Sequence, residues 1–387
     1  MKKKIAVLGS TGSIGKSLLN ILLKDKKNFE IVLLTAHKSH KALLKQAKEF
    51  NVKNLIITDK KSYEIVKKET KNSNIKVDNN FSKLNMIFKK KIDYVMSSIS
   101  GIQGLEPTIK IVKFTKKIAI ANKESIICGW NLIFNELKKY KTDFIPVDSE
   151  HFSIWYGLKN YKNVNLEKIF LTASGGPFYK TSLSKFGQIK ISDALNHPNW
   201  KMGKKISTDS ATMINKVYEV IEARKIFDID YKKIEILIHP KSYVHAILKF
   251  KNGLTNIVVH DTTMKVPIFN TLFLNSDHQL KTNKINIKIL NNLSLNKASS
   301  KRFPMIKLLK FLPNNHSLFE TVIVSANDKL VELFLDNKIR FIDIQKILFK
   351  IINKKEFQIF KKKSPVNIKD ITFLNDYVRL KIEENNI

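Results

Sequence analysis

The first 150 residues alternate short apolar segments with amphipathic ones, and this alternation restricts the chain to a small set of folds. The apolar segments have the length of strands, and apolar residues recur at helical spacing between them. Strands that alternate with helices form parallel sheets, because each crossover helix returns the chain to the same end of the sheet. We therefore predict an α/β protein that begins with a parallel sheet. The predicted strands are residues 5–9, 31–36, 54–58, 94–97, 117–121 and 143–147, with helices at 13–24 and 41–50.

The remainder of the chain has a less regular pattern. Its first part contains a glycine-rich turn, a long polar loop, one amphipathic helix and several strands, which is typical of an α+β domain. A polar, Asn- and Lys-rich segment follows and indicates a linker. Helical periodicity after residue 303 indicates a small helical bundle. We predict a first domain at 1–148, a central domain at 149–275, a linker at 276–301 and a C-terminal helical domain at 302–387.

The formal net charge of +35 raises the question of a nucleic-acid partner. The lysines are spread along the whole chain, and arginine, which most often reads bases, is scarce. Codons rich in A and T explain such a composition without a binding site, so we expect no nucleic-acid partner. The sequence lacks the roughly 20 consecutive apolar residues of a membrane span, and its N-terminus lacks the features of a signal peptide. A single cysteine, Cys128, fits the reducing cytoplasm.

A glycine motif directly follows the first predicted strand. Residues 9–15 read G-S-T-G-S-I-G and open a predicted helix. Glycines allow the backbone to approach a pyrophosphate, and the helix N-terminus offers N–H donors, so the motif predicts a Rossmann-like dinucleotide site. The second strand ends in His37, Lys38 and Ser39, without the acidic residue that binds the ribose of NAD. This favours NADP, although Lys38 alone could be an ordinary loop residue of a lysine-rich chain.

The segment from Pro146 to His151 places two carboxylates next to each other. Asp148 and Glu150 follow an apolar run, and on an extended segment residues i and i+2 point to the same side. Two carboxylates held so close repel each other unless a cation neutralises them, and Mg²⁺ or Mn²⁺ prefers oxygen ligands. An isolated pair of this kind is more often a solvated turn. Other segments of the chain favour the metal site.

Four of these segments carry polar groups suited to an anionic substrate. Lys123 follows a strand of the first domain, and Ser174 stands beside two glycines in an N–H-rich turn. Trp200, flanked by Pro, Asn, Lys and Gly, fits either the tip of a lid or a structural surface tryptophan. A helix predicted from residue 207 to 226 carries Asn215 and Glu219 on one face, unless that face is simply solvated.

Taken in order, these motifs resemble the 1-deoxy-D-xylulose 5-phosphate reductoisomerase family. The matching strings are GSTGSIG, ANKES, PVDSEH, SGGPF, HPNWKMG, KIS-x-DSATM-x-NK, IEA and LIHP, which run from residue 9 to residue 240. The resemblance implies an NADPH enzyme of the non-mevalonate isoprenoid pathway that needs Mg²⁺ or Mn²⁺, with Co²⁺ as a third option. It implies a homodimer with an NADPH-binding first domain, a central catalytic domain with a lid, and a C-terminal helical domain. Its substrate would be a phosphorylated ketose, reduced to 2-C-methyl-D-erythritol 4-phosphate.

The resemblance also implies roles for individual residues. It assigns the metal to Asp148, Glu150 and Glu219, and catalysis to these three together with Lys123 and His197. It assigns NADPH to Thr11, Gly12, Ser13, Ile14, Lys38, Ser39, Asn122, Glu124 and Gly203. It assigns the substrate to Lys123, Ser149, Glu150, Ser174, His197, Trp200, Ser210, Asn215, Lys216 and Glu219. His151 and His245 match histidines near the family's site.

Three stretches depart from the family pattern. His37 stands where glycine is common, which changes the expected shape of the 2′-phosphate pocket. Residues 260–267 read H-D-T-T-M-K-V-P where a T-P-D-M-R-x-P-like run is expected, and Asp328 replaces the usual glutamate. These departures lie outside the implied ligand set, so we expect them to affect stability or lid packing.

A semialdehyde dehydrogenase is the main competing enzyme class, because it also opens with a G-x-x-G-x-x-G turn. Its chemistry requires a cysteine nucleophile that a base activates. The apolar neighbours of Cys128 indicate buried packing instead. For the reductoisomerase reaction, the sequence leaves open whether the carbon skeleton rearranges by retro-aldol and aldol steps or by an alkyl shift.

Overall fold

The structure is a computed structural model, and it describes residues 2–159 and 166–384. The described chain forms two compact units. The first comprises residues up to Ser125, Leu132–Asp148 and Met264–Lys281, and the second comprises Ile126–Asn131, Ser149–Thr263 and the residues from Thr282 onward. No helix in these described ranges is both long and apolar enough to cross a membrane.

The elements alternate between strand and helix in the first third of the chain and become mostly helical toward the C-terminus. The strands are β1 (Lys3–Leu8), β2 (Phe29–Ala36), β3 (Asn54–Ile57), β4 (Lys76–Asp78), β5 (Tyr94–Ser97), β6 (Lys117–Ile120), β7 (Asp143–Pro146), β8 (Leu166–Ala173), β9 (Ile234–Ile238), β10 (Val244–Phe250), β11 (Thr255–Val259) and β12 (Asn296–Lys297). The helices are α1 (Ser13–Leu23), α2 (His40–Phe50), α3 (Lys60–Glu69), α4 (Leu84–Ile87), α5 (Leu105–Val112), α6 (Lys123–Tyr140), α7 (Ser149–Leu158), α8 (Ile191–Leu195), α9 (Lys204–Thr212), α10 (Ile214–Phe227), α11 (Lys265–Phe273), α12 (Ile287–Leu290), α13 (Phe319–Leu335), α14 (Phe341–Ile352), α15 (Lys355–Gln358) and α16 (Ile368–Glu384).

The first unit is built on a parallel sheet of seven strands. Their order is β4-β3-β2-β1-β5-β6-β7, so the order reverses at β1, which pairs with β2 on one side and β5 on the other. In open α/β sheets such a reversal leaves a crevice at the carboxyl ends of the strands, where ligands bind. The glycine motif follows β1 and therefore lies at this crevice. The predicted α/β fold with an N-terminal parallel sheet is confirmed.

The core of the first unit includes a helix, α11, that lies much later in the chain. Ile268 and Phe273 of α11 belong to the same buried cluster as Leu18 and Leu22 of α1. The Phe273 ring meets Phe29 of β2 edge-on at 5.6 Å. The sequence analysis assigned residues 264–275 to the central domain and 276–281 to the linker, whereas the structure includes them in the first unit.

The second unit contains a mixed sheet of five strands. Their order is β11-β10-β8-β9-β12, with β8 and β9 parallel and the other neighbouring pairs antiparallel. Ile154 of α7 and Val220 of α10 pack into the buried cluster formed by the inner faces of these strands. Two elements that carry predicted site residues are thereby fixed on one sheet.

The C-terminal part of the second unit is helical, as the sequence predicts. α13 is buried along most of its length and contacts both α14 and α16. Near the start of α13, Glu320 forms an ion pair with Lys225 of α10, with 3.1 Å between Oε1 and Nζ, and both side chains are buried. This contact joins the helical part to the helix that carries Glu219.

Candidate active site

The glycine motif forms a turn whose shape depends on two of its glycines. Gly9 has φ of +79°, and a Cβ there would lie 2.7 Å from the carbonyl oxygen of Ser98. A Cβ on Gly15 would lie 2.5 Å from the carbonyl oxygen of Gly9. Gly12, by contrast, is exposed, and the nearest atom to its Cβ would be at 3.4 Å. The turn thus packs closely on its inner side and leaves its outer side open to a ligand.

The outer side of this turn is the N-terminus of α1. Gly12 is the N-cap residue, and no side chain caps the helix there. Thr11 and Ile14 are half-buried, and Ser13 is exposed. Backbone N–H groups at an uncapped helix N-terminus bind phosphate well, because the helix dipole adds to the hydrogen bonds. The residues present therefore fit a dinucleotide pyrophosphate.

Gln46, which the sequence analysis did not predict, stabilises the glycine turn through hydrogen bonds with Ser10. The Gln46 amide donates to the Ser10 carbonyl oxygen at 3.0 Å, and Ser10 Oγ donates to Gln46 Oε1 at 2.8 Å. Both side chains are buried. Gln46 belongs to α2, 36 residues away in sequence, so no local pattern indicates the contact.

The end of β2 presents His37, Lys38 and Ser39, all exposed. Asp59, which follows β3, lies close to them although the sequence analysis found no acid at β2. The backbone N–H and hydroxyl of Ser62 donate to Asp59 and lower the pKa of its carboxyl, and Lys38 and His37 lower it further. Asp59 thus serves as the N-cap of α3. Because Ser62 occupies one of its oxygens, Asp59 is held by the helix it caps.

Lys123 and Asp148 form an ion pair within the first unit. Lys123 begins α6, and its Nζ lies 3.1 Å from Asp148 Oδ2. Asn122 caps α6 by accepting from the Ser125 N–H at 2.6 Å, and its amide donates to the Gly101 carbonyl oxygen at 2.8 Å. Asn122 and Glu124 are both buried. The Asn122 side chain therefore holds the strand ends together.

The second unit contains a cluster of two carboxylates and one ammonium, of which Glu219 and Lys216 are buried and Glu150 is partly buried. Lys216 Nζ lies 2.8 Å from Glu150 Oε1 and also donates to Glu219 Oε2. Oxygens of Glu150 and Glu219 lie within 4.8 Å of each other. Only 2% of Glu219 and 4% of Lys216 are exposed, so this face of α10 is not a solvated one. Burial opposes the charge on Lys216, but the two carboxylates outweigh it and raise its pKa above the usual value.

Neighbouring groups fix the orientation of both carboxylates. Asn215 Nδ2 donates to Glu219 Oε1 at 2.5 Å, as the i, i+4 spacing predicts. The His151 ring nitrogen Nε2 donates to the Glu219 carbonyl oxygen at 2.8 Å. Ser149 Oγ donates to Glu150 Oε2 at 2.5 Å. An oxygen-only donor set held in this way fits a hard divalent cation.

The predicted geometry of the Asp148–Glu150 pair is wrong. β7 ends at Pro146 and α7 begins at Ser149, so Glu150 lies in the first turn of a helix and not on an extended strand. Helical geometry places Glu150 on α7 while Asp148 stays in the connection before it. The two carboxylates still belong to residues that are only two positions apart in the sequence.

The predicted helix at 207–226 is also wrong in one respect. Met213 has φ of +70° and separates α9 from α10. Ser210 is therefore on α9 and is half-buried, whereas Asn215, Lys216 and Glu219 are on α10. Gly176, with φ of +66°, brings the 174–176 turn to α9, since a Cβ there would meet the Ser210 carbonyl oxygen at 2.9 Å.

His197 links the glycine-rich turn to the segment that carries Trp200. Its Nδ1 accepts from the backbone N–H groups of Asn199 at 3.2 Å and Trp200 at 3.0 Å. Its Nε2 therefore carries the proton, and this nitrogen lies 3.1 Å from Ser174 Oγ. Burial lowers the pKa of His197 to about 4, so the ring is neutral at neutral pH. Gly203, exposed, follows as the N-cap of α9.

Comparison with known proteins identifies the family. The 1-deoxy-D-xylulose 5-phosphate reductoisomerase family model matches residues 5–129, and models of C-terminal domains of the same enzyme match 144–227 and 260–381. A relative of that name from Pelagibacter ubique (strain HTCC1062) is 62% identical over 387 residues, covering 100% of both chains.

The chain belongs to the 1-deoxy-D-xylulose 5-phosphate reductoisomerase family.

Other reductoisomerases agree with this assignment. One from Clostridium kluyveri is 38% identical over 355 residues, covering 91% of this chain and 92% of the relative. A solved reductoisomerase from Zymomonas mobilis in complex with NADPH has a TM-score of 0.87 at 30% identity, covering 100% of this chain and 99% of that one. A second, in complex with NADPH, fosmidomycin and magnesium, has a TM-score of 0.89 at 28% identity, covering 99% and 98%.

The competing dehydrogenase class requires a reactive cysteine, and the position of Cys128 does not suit that role. It lies within α6 and is 1% exposed. The prediction that Cys128 is buried packing is therefore confirmed.

Proposed function

We propose that this protein converts 1-deoxy-D-xylulose 5-phosphate to 2-C-methyl-D-erythritol 4-phosphate, using NADPH and a divalent cation. This reaction belongs to the non-mevalonate route to isoprenoid precursors. The observation that carries the proposal is the ionic set in which buried Lys216 lies between buried Glu219 and partly buried Glu150, in a member of this family. Oxygen donors and an ammonium side by side suit a substrate that offers both metal-chelating oxygens and a phosphate.

Asp148, Glu150 and Glu219 would hold the metal, which we expect to be Mg²⁺ or Mn²⁺, with Co²⁺ as an alternative. A cation bound there supplies Lewis-acid polarisation of the substrate oxygens. Support comes from Asn215, which orients the Glu219 carboxylate, and from His151, which bonds the main-chain carbonyl oxygen of the same residue. Ser149 orients Glu150 in the same way. These partners hold the carboxylates in position before any ligand arrives.

The substrate would be bound by groups of the second unit on three segments. Ser210, Asn215 and Lys216 would bind the phosphate with a hydroxyl, an amide and an ammonium. Ser174 and His197 would contribute from the glycine-rich turn and the segment after α8, with Trp200 covering the substrate. The neutral His197 can donate from Nε2, because its other nitrogen is occupied by two backbone N–H groups.

Residues of the first unit would bind NADPH, which supplies a hydride to the rearranged aldehyde. Thr11, Gly12, Ser13 and Ile14 would hold the pyrophosphate, and Lys38 and Ser39 the 2′-phosphate. Asn122, Glu124 and Gly203 complete the set that the family resemblance implies. Lys123 would neutralise an oxygen of the substrate. Its ammonium lies 3.1 Å from Asp148, which is one of the proposed metal ligands.

We further propose that the protein is a cytoplasmic homodimer. The family resemblance and the single cysteine support this proposal. Light scattering at micromolar concentration should give twice the chain mass of 44.7 kDa, and a monomer would contradict the dimer without affecting the proposed reaction.

The decisive experiment is NADPH oxidation on addition of 1-deoxy-D-xylulose 5-phosphate, followed by absorbance with and without Mg²⁺ or Mn²⁺. We expect metal-dependent turnover that a chelator stops and added Mn²⁺ restores. NADH should be a poorer cofactor, because Lys38 and Ser39 match the 2′-phosphate. Turnover that a chelator leaves unchanged would contradict the metal dependence. Equal catalytic efficiency with NADH would contradict the preference for NADPH.

A further inference from the structure

Three aromatic rings form a row at one end of the sheet in the second unit. His245 lies in β10 at the point where its register with β11 shifts, between Val244 and Ala246. Such a bulge changes the direction of a side chain. The rings of His245 and His260 stack with centroids 3.6 Å apart and planes inclined by 11°. Trp200 meets the His245 ring edge-on, at 6.3 Å and 75°.

Hydrogen bonds to carbonyl oxygens fix both imidazoles. His260 Nδ1 lies 2.8 Å from the Asp261 carbonyl oxygen, and His245 Nε2 lies 3.3 Å from the His260 carbonyl oxygen. A carbonyl only accepts, so these two nitrogens carry protons. Burial lowers the pKa of His260, although the Asp261 carbonyl and the charges of Glu150 and Asp261 oppose this. The two hydrogen bonds hold the rings in the nearly parallel stack.

The second nitrogen of His260 shows what this ring contributes. His260 Nε2 is buried and has no hydrogen-bond partner among the residues that the structure describes. A buried acceptor without a partner is destabilising, so this nitrogen adds no stabilising hydrogen bond. The contribution of His260 at this place is therefore the face of its ring, which is packed against His245.

The segment with Trp200 is anchored separately at its base. Asn199 Nδ2 donates to the Pro240 carbonyl oxygen at 2.6 Å and to Ser242 Oγ at 2.8 Å. His197 holds the backbone of Asn199 and Trp200. These bonds fix the backbone but do not reach the indole ring, whose described ring contact is with His245.

We propose that His260 is a positioning residue that fixes the plane of the His245 ring and thereby the position of the Trp200 indole over the substrate. This inference rests on the proposed function, since it concerns the same substrate. His260 acts through His245, so its loss should weaken substrate binding and leave NADPH binding intact. The fold should survive, because the backbone anchors of residues 197–200 remain.

The test compares three substitutions of His260 with a matched control. His260→Ala and His260→Leu remove the aromatic face, whereas His260→Phe keeps a ring without the imidazole nitrogens. His278→Ala is the control, because it also removes a stacked imidazole, 4.2 Å from Phe273 in the first unit. Each protein is assayed for KM for 1-deoxy-D-xylulose 5-phosphate, kcat, Kd for NADPH and melting temperature.

We expect His260→Ala and His260→Leu to raise KM about threefold to tenfold, as the loss of one aromatic contact would. His260→Phe should stay close to the unmodified protein, as should His278→Ala. In a Trp200→Ala background, His260→Leu should cause no further rise in KM, because residues that act in series are non-additive. If His260→Ala does not fold, the comparison is made between His260→Leu and His260→Phe.

Three results would overturn the inference. The first is an unchanged KM in His260→Ala or, should that variant not fold, in His260→Leu. The second is an additive effect on top of Trp200→Ala. The third is equal damage from Phe and Leu, which would show that the imidazole nitrogens matter rather than the ring face. Absence of turnover in the unmodified protein would instead contradict the proposed function, so the two failures are distinguishable.

Discussion

The glycine turn of the first unit and the carboxylate–lysine cluster of the second prepare for ligands in opposite ways. Around the turn, the structure fixes the backbone, since Gly9 and Gly15 have no room for a Cβ, while Ser13 and Lys38 remain exposed. In the cluster, the structure fixes charged side chains in the interior, and Glu219 and Lys216 are buried. One region depends on shape and the other on balanced charge.

This difference determines which substitutions each region tolerates. A backbone turn fails when atoms are added, because there is no space for them. A buried ionic cluster fails when a charge is removed, because its partner is then left buried and uncompensated. Isosteric changes should therefore be harmless in the turn and severe in the cluster. The following predictions test that contrast, beginning with the largest expected effect.

Glu219→Gln should lower kcat/KM at least about a hundredfold, since even outer-shell partners of a metal contribute 10- to 100-fold. The amide keeps the size of the side chain but removes a ligand charge and a partner of Lys216. NADPH should still bind, which fluorescence titration would measure. Glu167→Gln is the control, because Glu167 forms an exposed ion pair with Lys249 at 2.7 Å. Near-normal turnover of Glu219→Gln would disprove the metal assignment.

Lys216→Met should have opposite effects on metal binding and on substrate binding. Its ammonium competes with a cation for oxygens of Glu150 and Glu219, so its removal should tighten Mn²⁺ binding about tenfold at pH 8 in the absence of substrate. Substrate KM should rise, because a phosphate partner is lost. Calorimetry with Mn²⁺ alone measures the first effect, with Lys249→Met as the control. Unchanged or weaker Mn²⁺ binding would show that Lys216 and the metal do not share these oxygens.

Gly15→Ala should destabilise the first unit by about 1–3 kcal/mol and weaken NADPH binding, because the added methyl group overlaps the turn. Its Cβ would lie 2.5 Å from the Gly9 carbonyl oxygen. Thermal unfolding and NADPH titration measure the two effects. Gly187→Ala provides the comparison, since no atom lies within 4 Å of its Cβ. A Gly15→Ala protein as stable as Gly187→Ala would mean that the turn can relax.

The smallest effect concerns pH. The pKa of His197 is about 4 in the folded protein and near 6.5 when unfolded. Between these values the unfolded chain binds a proton that the folded protein does not, so stability should fall as pH decreases from 6.5 toward 4 and be unaffected above 6.5. NMR of the imidazole should give a midpoint below 5, with His197→Gln to assign the signal. A midpoint near 6.5 would contradict the buried, neutral ring.

Local patterns were sufficient for most of the first unit. The alternation of apolar segments predicted six of the strands in the parallel sheet, and glycine spacing located the turn after β1. β4 was missed because its three residues, Lys76–Asp78, are too short and polar to show strand periodicity. Gln46 was missed because its contact with Ser10 spans 36 residues.

The second unit depended more on the resemblance to a family than on local pattern. Lys216 and Glu150 are 66 residues apart, and only the tertiary fold brings them together. The break at Met213 was not predicted, since methionine rarely adopts a left-handed conformation and packing imposes it there. Glu150 was assigned to a strand because the apolar run before it extends close to the start of α7.

The contribution of α11 to the first unit has a consequence for the order of events during synthesis. Ile268 and Phe273 complete a buried cluster whose other members come from residues 5–147, and Thr271 hydrogen-bonds Tyr94 of β5 at 2.7 Å. A ribosome that has made the seven strands has therefore not yet made the helix that covers them. Until translation passes residue 273, part of this apolar surface stays uncovered, and the nascent chain is exposed to aggregation or chaperone capture over that interval.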